Sequence, residues 1–362
     1  MSGWIICAIV MALAAANGAN DNIKGAATLV GSGLMGYRGA IRYATLATAA
    51  GGLLSIWLTG GLLSAFSGKG LVPQELITSA EFPLAVAAAA GLTIWLATWR
   101  GLPVSTTHAL LGGLLGAGLA LAPAQVEIAA ATNSLLLPLL LSPFAALLLA
   151  LVLVPMVRRL RARPAHRDPC VCRAIEPALG ANAVAVANTR ITLGTRGAAA
   201  CQPAVGGSAA SLPLGLWLDR AHLGTAAAVS FARGLNDTPK IAALLVVAGL
   251  TANSASALVV VAMALGGLAA AGRVANTLAH RITRMDTGEA LGGNLVTSSL
   301  VIAASQFSLP VSTTHVSTGA LFGIAAGNGT GNGRMIRQIL LAWGITLPVA
   351  AGLAYAGIRF LS

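Results

Sequence analysis

Two aspartates stand inside stretches that carry little other charge. Asp21 closes Gly18-Ala19-Asn20-Asp21, Asp237 closes Gly234-Leu235-Asn236-Asp237, and a lysine follows each three residues later, Lys24 and Lys240. Downstream of each lies a hydroxyl-rich stretch. Residues 102–108 read Leu-Pro-Val-Ser-Thr-Thr-His, and residues 309–315 repeat all seven letters. Pro103 and Pro310 interrupt the preceding helix, so Ser105, Thr106, Thr107 and Ser312, Thr313, Thr314 fall at the start of a new one. A helix N-terminus has free N–H groups and the positive end of the dipole, which attract anions. The hydroxyls add donors without adding fixed charge. This chemistry suits a tetrahedral oxyanion that is held and then released.

The blander readings explain single copies better than pairs. One Asp could cap a helix and neutralise its lysine, and one Thr could bond back to a helical carbonyl. Matching sets at corresponding places in two halves favour a shared site. Gly18 and Gly234 are expected to end one half-helix, with Asn20-Asp21 and Asn236-Asp237 capping the next. Pro239 then fits the first turn of that second half-helix. Asn20, Lys24, Asn236 and Lys240 read as charge-balancing or coupling groups. His108 and His315 would orient the breaks, relay a proton or touch the anion.

The elements that must position these residues are membrane helices. The 362-residue chain is 56% apolar and 9% charged, with 43 glycines and mean hydropathy +0.82. Soluble domains carry about 25% charged residues, so this composition describes an integral membrane protein. The apolar runs are long and show no strand alternation, which predicts helices rather than a barrel. Five passes are expected in the first half: 4–35 (broken at 17–21), 43–63, 82–99, 102–121 and 133–157. Five more follow: 223–250 (broken near 234–237), 254–272, 289–306, 309–326 and 336–361. The passes at 102–121 and 309–326 are candidates for re-entrant segments. The expected fold is an all-α polytopic membrane protein of two inverted-topology repeats, since five passes per half is an odd number. Corresponding Gly/Pro-interrupted segments in two halves are the mark of a transporter built from repeats.

Charge placement sets the orientation. With the N-terminus outside, inward loops hold 17 of the 22 Lys and Arg residues, in keeping with the positive-inside rule. Both termini are then external, in a bacterial cytoplasmic membrane. Lys24, Arg233 and Lys240 fall within apolar passes. The net charge of +12 is topological information, because the basic residues lie between apolar segments; no nucleic-acid partner is expected. The organisation is read as a first repeat (1–157), a cytoplasmic insert (158–211) and a second repeat (212–362). A flexible linker is the expectation for the insert, with weak strand character at 182–193. Residues 273–288 read as a short cytoplasmic helix. Cys170, Cys172, Cys201 and His166 are a weak zinc candidate, because Cys-x-Cys is not the usual ligand spacing. Neither a metal nor a cofactor is expected.

Rival classes fare worse. An intramembrane hydrolase needs one activated nucleophile with its base and orienter, whereas each half here carries an equivalent set. Paired charges at a symmetric midplane site favour transport over a ring-lined pore.

At these residues the chain resembles the inorganic phosphate transporter (PiT) family. The matching marks are Gly-x-Asn-Asp at 18–21 and 234–237, the two Leu-Pro-Val-Ser-Thr-Thr-His stretches, and the closing Ala342-Trp343 to Thr346-Leu347-Pro348 segment. The resemblance covers both halves and leaves the insert unmatched. It implies a symporter with inverted repeats, dimeric, binding inorganic phosphate and a coupling cation; some members are similar enough to move sulfate. Sodium-coupled relatives have Asn three residues after the motif Asp, where this chain has Lys24 and Lys240. That departure favours protons over sodium as the coupling ion. Two Asp/Lys pairs would leave the empty site roughly neutral. A carboxylate acceptor would favour phosphate, which carries a proton at neutral pH, but sulfate and sodium stay open as alternatives.

Overall fold

Long apolar runs in this chain become helices that approach one another through small residues. The structure is a computed structural model describing residues 3–161, 169–179, 185–195, 208–211 and 214–361; of these, Leu361 and the ones between 160 and 215 are described by backbone alone. The first half runs through α1 (Gly3–Asp21), α2 (Ala27–Gly31), α3 (Tyr37–Leu58), α4 (Gly60–Ala65), α5 (Gln74–Ile77) and α6 (Glu81–Trp99). It continues with α7 (Thr106–Leu121), α8 (Ile128–Ala130) and α9 (Leu137–Arg161). The second half has α10 (Leu214–Val247), α11 (Ala252–Ala270), α12 (Gly272–Asn276), α13 (Thr287–Gln306), α14 (Thr313–Asn328) and α15 (Gly333–Leu361). Among the described residues, six stretches are long and apolar enough to cross a membrane: α1, α3, α6, residues 128–159, α11 and α15. The other four expected passes are α7, α10, α13 and α14. Two of them are only 16 residues long, and all four carry polar side chains in their buried faces.

The Asn-Asp stretches do not break their helices where the sequence suggested. α1 continues through Gly18 to Asp21, and the turn comes after it, at residues 22–26. α10 runs unbroken for 34 residues, with Gly234–Asp237 and Pro239 in its interior. The glycines serve contact rather than termination. A Cβ on Gly18 would overlap the Met263 carbonyl of α11, and one on Gly234 would overlap the Thr48 carbonyl of α3. Such close backbone approach is how helices associate in lipid. Pro239 frees the Leu235 carbonyl from its helical partner, and the Thr59 hydroxyl, which donates to the Ser55 carbonyl at 2.9 Å, lies 3.4 Å from that oxygen as a second, weaker acceptor.

The two halves interleave. α1 packs on α11 as α10 packs on α3; α1 meets α6 as α10 meets α13. The last helix of each half lies on the other half's hydroxyl-led helix, α15 on α7 and α9 on α14. Each of these contacts has a counterpart with the halves exchanged. Neither half therefore buries its own helices alone.

Within the insert (158–211), α9 continues to Arg161, and the other described residues are strands where a flexible linker was expected. β1 (Pro169–Leu179) pairs antiparallel with β2 (Ala185–Thr195) and with β3 (Ser208–Ser211), in the order β2-β1-β3. Val171, Ile175, Val186, Ile191 and Leu193 supply strand propensity that overall composition does not reveal. His166 and Cys201 lie outside the described residues, and Cys170 and Cys172 are described by backbone alone. The segment 273–288 holds α12 and a π-turn at Thr277–Arg281 before the Asp286–Glu289 capping box of α13.

Replacing Gly18 or Gly234 by Ala should therefore destabilise the protein by about 1–3 kcal/mol, the usual range for overpacking. Gly224 has open space around it and serves as the control. Thermal unfolding in detergent should show a lower midpoint for Gly18→Ala and Gly234→Ala than for Gly224→Ala. Equal midpoints would contradict the close approach.

Candidate functional site

α7 and α14 begin in the same way. Ser105 (φ −91°, ψ 113°) and Ser312 (φ −96°, ψ 115°) are extended N-caps. Their hydroxyls accept the backbone N–H groups of His108 at 3.1 Å and His315 at 3.2 Å. Caps of this kind are worth about 1 kcal/mol each. The two serines are thus committed to the helix ends, and the threonines beside them make the longer-range contacts.

Those contacts couple each hydroxyl stretch to an aspartate of its own half. Thr106 donates to Asp21 Oδ2 and Thr313 to Asp237 Oδ2, both at 3.4 Å. The Asn residues hold the backbone breaks rather than capping a new helix. Asn20 donates to the Leu102 carbonyl at 3.0 Å and to Thr98 at 2.8 Å, and accepts from the Val104 N–H at 3.1 Å. Asn236 donates to the Val311 carbonyl at 3.2 Å and accepts from Ser305 at 3.4 Å.

The lysines cross between halves. Lys24 forms an ion pair with Asp21 and donates to the Thr314 hydroxyl. Lys240 Nζ lies 4.0 Å from Asp237 Oδ1 and donates to Thr107 at 2.9 Å and to the Val311 carbonyl at 2.7 Å. In return, Thr314 donates to the Val104 carbonyl at 2.7 Å and Thr107 to the Val311 carbonyl at 3.4 Å. Lys240 sits on α10, but Lys24 lies in the turn after α1, not on a second half-helix. His108 and His315 stack on one another with ring centroids 4.5 Å apart, and His315 stacks on Trp343 at 3.9 Å. They join α7 to α14 and α15. None of the Asp, Asn, Lys, Ser, Thr and His side chains named here is more than 5% exposed.

The resulting network is closed. A cavity beside it, lined by Lys24, Thr28, Asn294, Thr297 and Ser317 among others, measures about 10 Å³. That is room for at most about one water. A tetrahedral anion does not fit without displacing side chains.

The whole chain compares closely with transporters. A family model described as the phosphate transporter family matches residues 17–354. The chain belongs to the phosphate transporter family. It is 27% identical to a Pyrococcus abyssi protein that carries the name phosphate permease, over 97% of this chain and 96% of that one. It is 25% identical to the chloroplastic inorganic phosphate transporter 2-1 of Arabidopsis thaliana, over 93% of this chain and 68% of that one. A solved structure called the sodium-dependent phosphate transporter superposes with a TM-score of 0.74 at 20% identity, covering 99% of this chain and 98% of that one. The fold is thus shared with a phosphate transporter.

One charged residue of this transporter's network is not among those that the sequence singled out. Arg233, 1% exposed, lies one residue before Gly234. Its Nε is 3.4 Å from Asp237 Oδ2, its Nη1 donates to Asn22 Oδ1 at 2.8 Å, and its Nη2 donates to Asn17 Oδ1. The site is therefore not neutral, as two Asp/Lys pairs alone would make it. Three formal cations (Lys24, Arg233, Lys240) face two carboxylates (Asp21, Asp237). The available signal was an arginine inside an apolar pass next to the Gly-x-Asn-Asp stretch. The equivalent position in the first half is Asn17, so the internal repeat does not mark it. Asn17 also sits at the centre: its Nδ2 donates to Thr106 at 2.8 Å and lies 3.3 Å from Asp21 and 3.4 Å from Asp237.

Breaking one buried pair should be costly. Removing a single partner leaves an uncompensated charge, typically about 3–5 kcal/mol. Asp21→Asn and Lys24→Met should each lower the thermal midpoint strongly, and the double variant should recover most of the loss. A double variant no more stable than the worse single one would show that the two groups do not compensate each other.

Proposed function

We propose that this protein is a secondary active transporter importing inorganic phosphate by symport with protons, across a bacterial cytoplasmic membrane. The observation that carries the reading is the closed network in which Asp21 and Asp237 accept from Thr106 and Thr313 at two helix N-termini. These are the donors that an arriving oxyanion would take. The hydroxyls of Thr106, Thr107, Thr313 and Thr314, with the first turns of α7 and α14, hold the anion. Ser105 and Ser312 keep those turns in shape. Lys24 and Lys240 bring positive charge from the opposite half.

The excess of one formal cation favours anion binding in a site that excludes water. Once displaced from the threonines, a carboxylate can accept the proton that phosphate carries. Sulfate at neutral pH has no such proton, so the same carboxylate would repel it. That difference is one hydrogen bond to a charged group, about 1.5–3 kcal/mol, or roughly tenfold and more in affinity.

The coupling ion follows from the tethered ammonium groups. A sodium ion beside Asp21 would meet Lys24, which is paired with that carboxylate, and one beside Asp237 would meet the Lys240 ammonium 4.0 Å from Oδ1. Protons face no such competition for space. The matched exchange of helix contacts supports an inverted-repeat arrangement in which the halves rock about the site. The arginine-rich loops support an inward-facing insert and external termini. Homodimeric assembly is carried over from the family resemblance as part of the same proposal.

Uptake of labelled phosphate into proteoliposomes under an inward proton gradient tests the substrate. Uptake should be robust, and sulfate at equal concentration should leave most of it intact. Sulfate that abolishes phosphate uptake at equal concentration would reassign the protein as a general oxyanion permease. No phosphate uptake at all would overturn the reading.

A further inference from the structure

The repeat accounts for each charged residue of the site except Arg233. Its counterpart Asn17 is neutral, yet the two side chains meet, because the Arg233 guanidinium donates to Asn17 Oδ1. The fork joins the halves: Asn17 and Asn22 belong to the first, Asp237 to the second. Its buried Nε makes no hydrogen bond, although it lies 3.4 Å from Asp237 Oδ2 as an ion pair. A fully buried donor whose one acceptor stands this far off is weakly satisfied and would gain from a closer one.

That weakly satisfied edge faces one particular oxygen. Asp237 Oδ2 is also the acceptor for the Thr313 hydroxyl and lies 3.4 Å from Asn17 Nδ2. Three donors thus converge on a single carboxylate oxygen at the N-terminus of α14. An oxyanion that replaces Asp237 at Thr313 arrives within reach of the Arg233 Nε edge. A planar guanidinium presents two parallel N–H groups, which match two oxygens of a tetrahedral oxyanion better than a point charge does.

We propose that Arg233 is a direct, specificity-determining ligand of the transported oxyanion, which offers Nε a closer acceptor than Asp237 Oδ2 at 3.4 Å does. The inference rests on the phosphate-transport reading and adds to it a residue that the internal repeat does not supply. Arg233 moves its Nε edge from Asp237 to the anion, while its Nη groups keep their hold on Asn17 and Asn22. The guanidinium is then the part of the site that senses whether the seat at Thr313 holds a carboxylate or substrate. If Arg233 merely tied the two halves together, its replacement would alter folding but not affinity.

Equilibrium binding of labelled inorganic phosphate to the full-length protein in nanodiscs separates these roles. Arg233→Gln should weaken binding roughly tenfold to a hundredfold, the range for losing a hydrogen bond to a charged group. Arg233→Lys keeps the charge but not the fork, and should fall between wild type and Arg233→Gln. Thermal unfolding of the same samples should show wild type stabilised by added phosphate and the folded Gln variant much less so. A folded Arg233→Gln protein that binds phosphate within about twofold of wild type would overturn the proposal. If the Gln variant does not fold, Arg233→Lys with wild-type affinity overturns the role of the fork. Failure of wild type itself to bind phosphate would instead bring down the transport reading on which this rests.

Discussion

Five charged side chains lie together in the lipid-embedded part of the molecule, and the protein itself supplies nearly all of their partners. Removing a charge from water is tolerable only where counter-charges and hydrogen bonds replace its hydration. Here the replacement comes from both halves at once. Lys24 needs Thr314, Lys240 needs Thr107, and Arg233 needs Asn17 and Asn22. Each half thus supplies the carboxylate that pairs its own cations, and the opposite half completes their hydrogen bonds. The interleaved helices, the glycines at close backbone contacts and the stacked histidines all serve to bring the two sets of breaks to one place.

The same closure explains why the site holds no room for a substrate. Hydroxyls that would bind an oxyanion are bonded to carboxylates, and the cations are bonded to hydroxyls and carbonyls. An anion can enter only by taking over donors already in use. In this reading binding and rearrangement are coupled, since an anion that displaces Asp21 or Asp237 from its threonine also disturbs the carboxylate's ion pair with Lys24 or Arg233, whose other bonds reach the opposite half. On the proposed function, such a site would bind through differences between two satisfied arrangements, as alternating access requires.

Much of this is legible in the residues, and the failures have physical causes. The duplicated stretches mark the serine caps and the threonines, because seven identical residues do not recur by chance in a chain of this length. The long helices and their order follow from the apolar runs, whereas the short helices between them do not. The position of the breaks does not follow. Glycine and proline signal helix ends in water, whereas in lipid Gly18 and Gly234 permit backbone contact and the hydroxyl of Thr59 stands 3.4 Å from the carbonyl freed by Pro239. Arg233 stays hidden because its counterpart is Asn17, and repetition gives weight only to positions that match. The strands of the insert are hard to read because their alternation is weak and their partners lie up to about 40 residues apart in sequence.

The central claim is that tethered ammonium groups stand where a mobile cation would otherwise balance the carboxylates. It is tested most directly by phosphate uptake into proteoliposomes with sodium replaced throughout by choline. The account predicts uptake that persists without sodium, rises with an inward proton gradient and collapses when that gradient is dissipated. In Lys24→Asn/Lys240→Asn the proton-driven component should weaken and a response to sodium should emerge. Strong stimulation of the unmodified protein by sodium, or normal sodium-free uptake by the double variant, would contradict it.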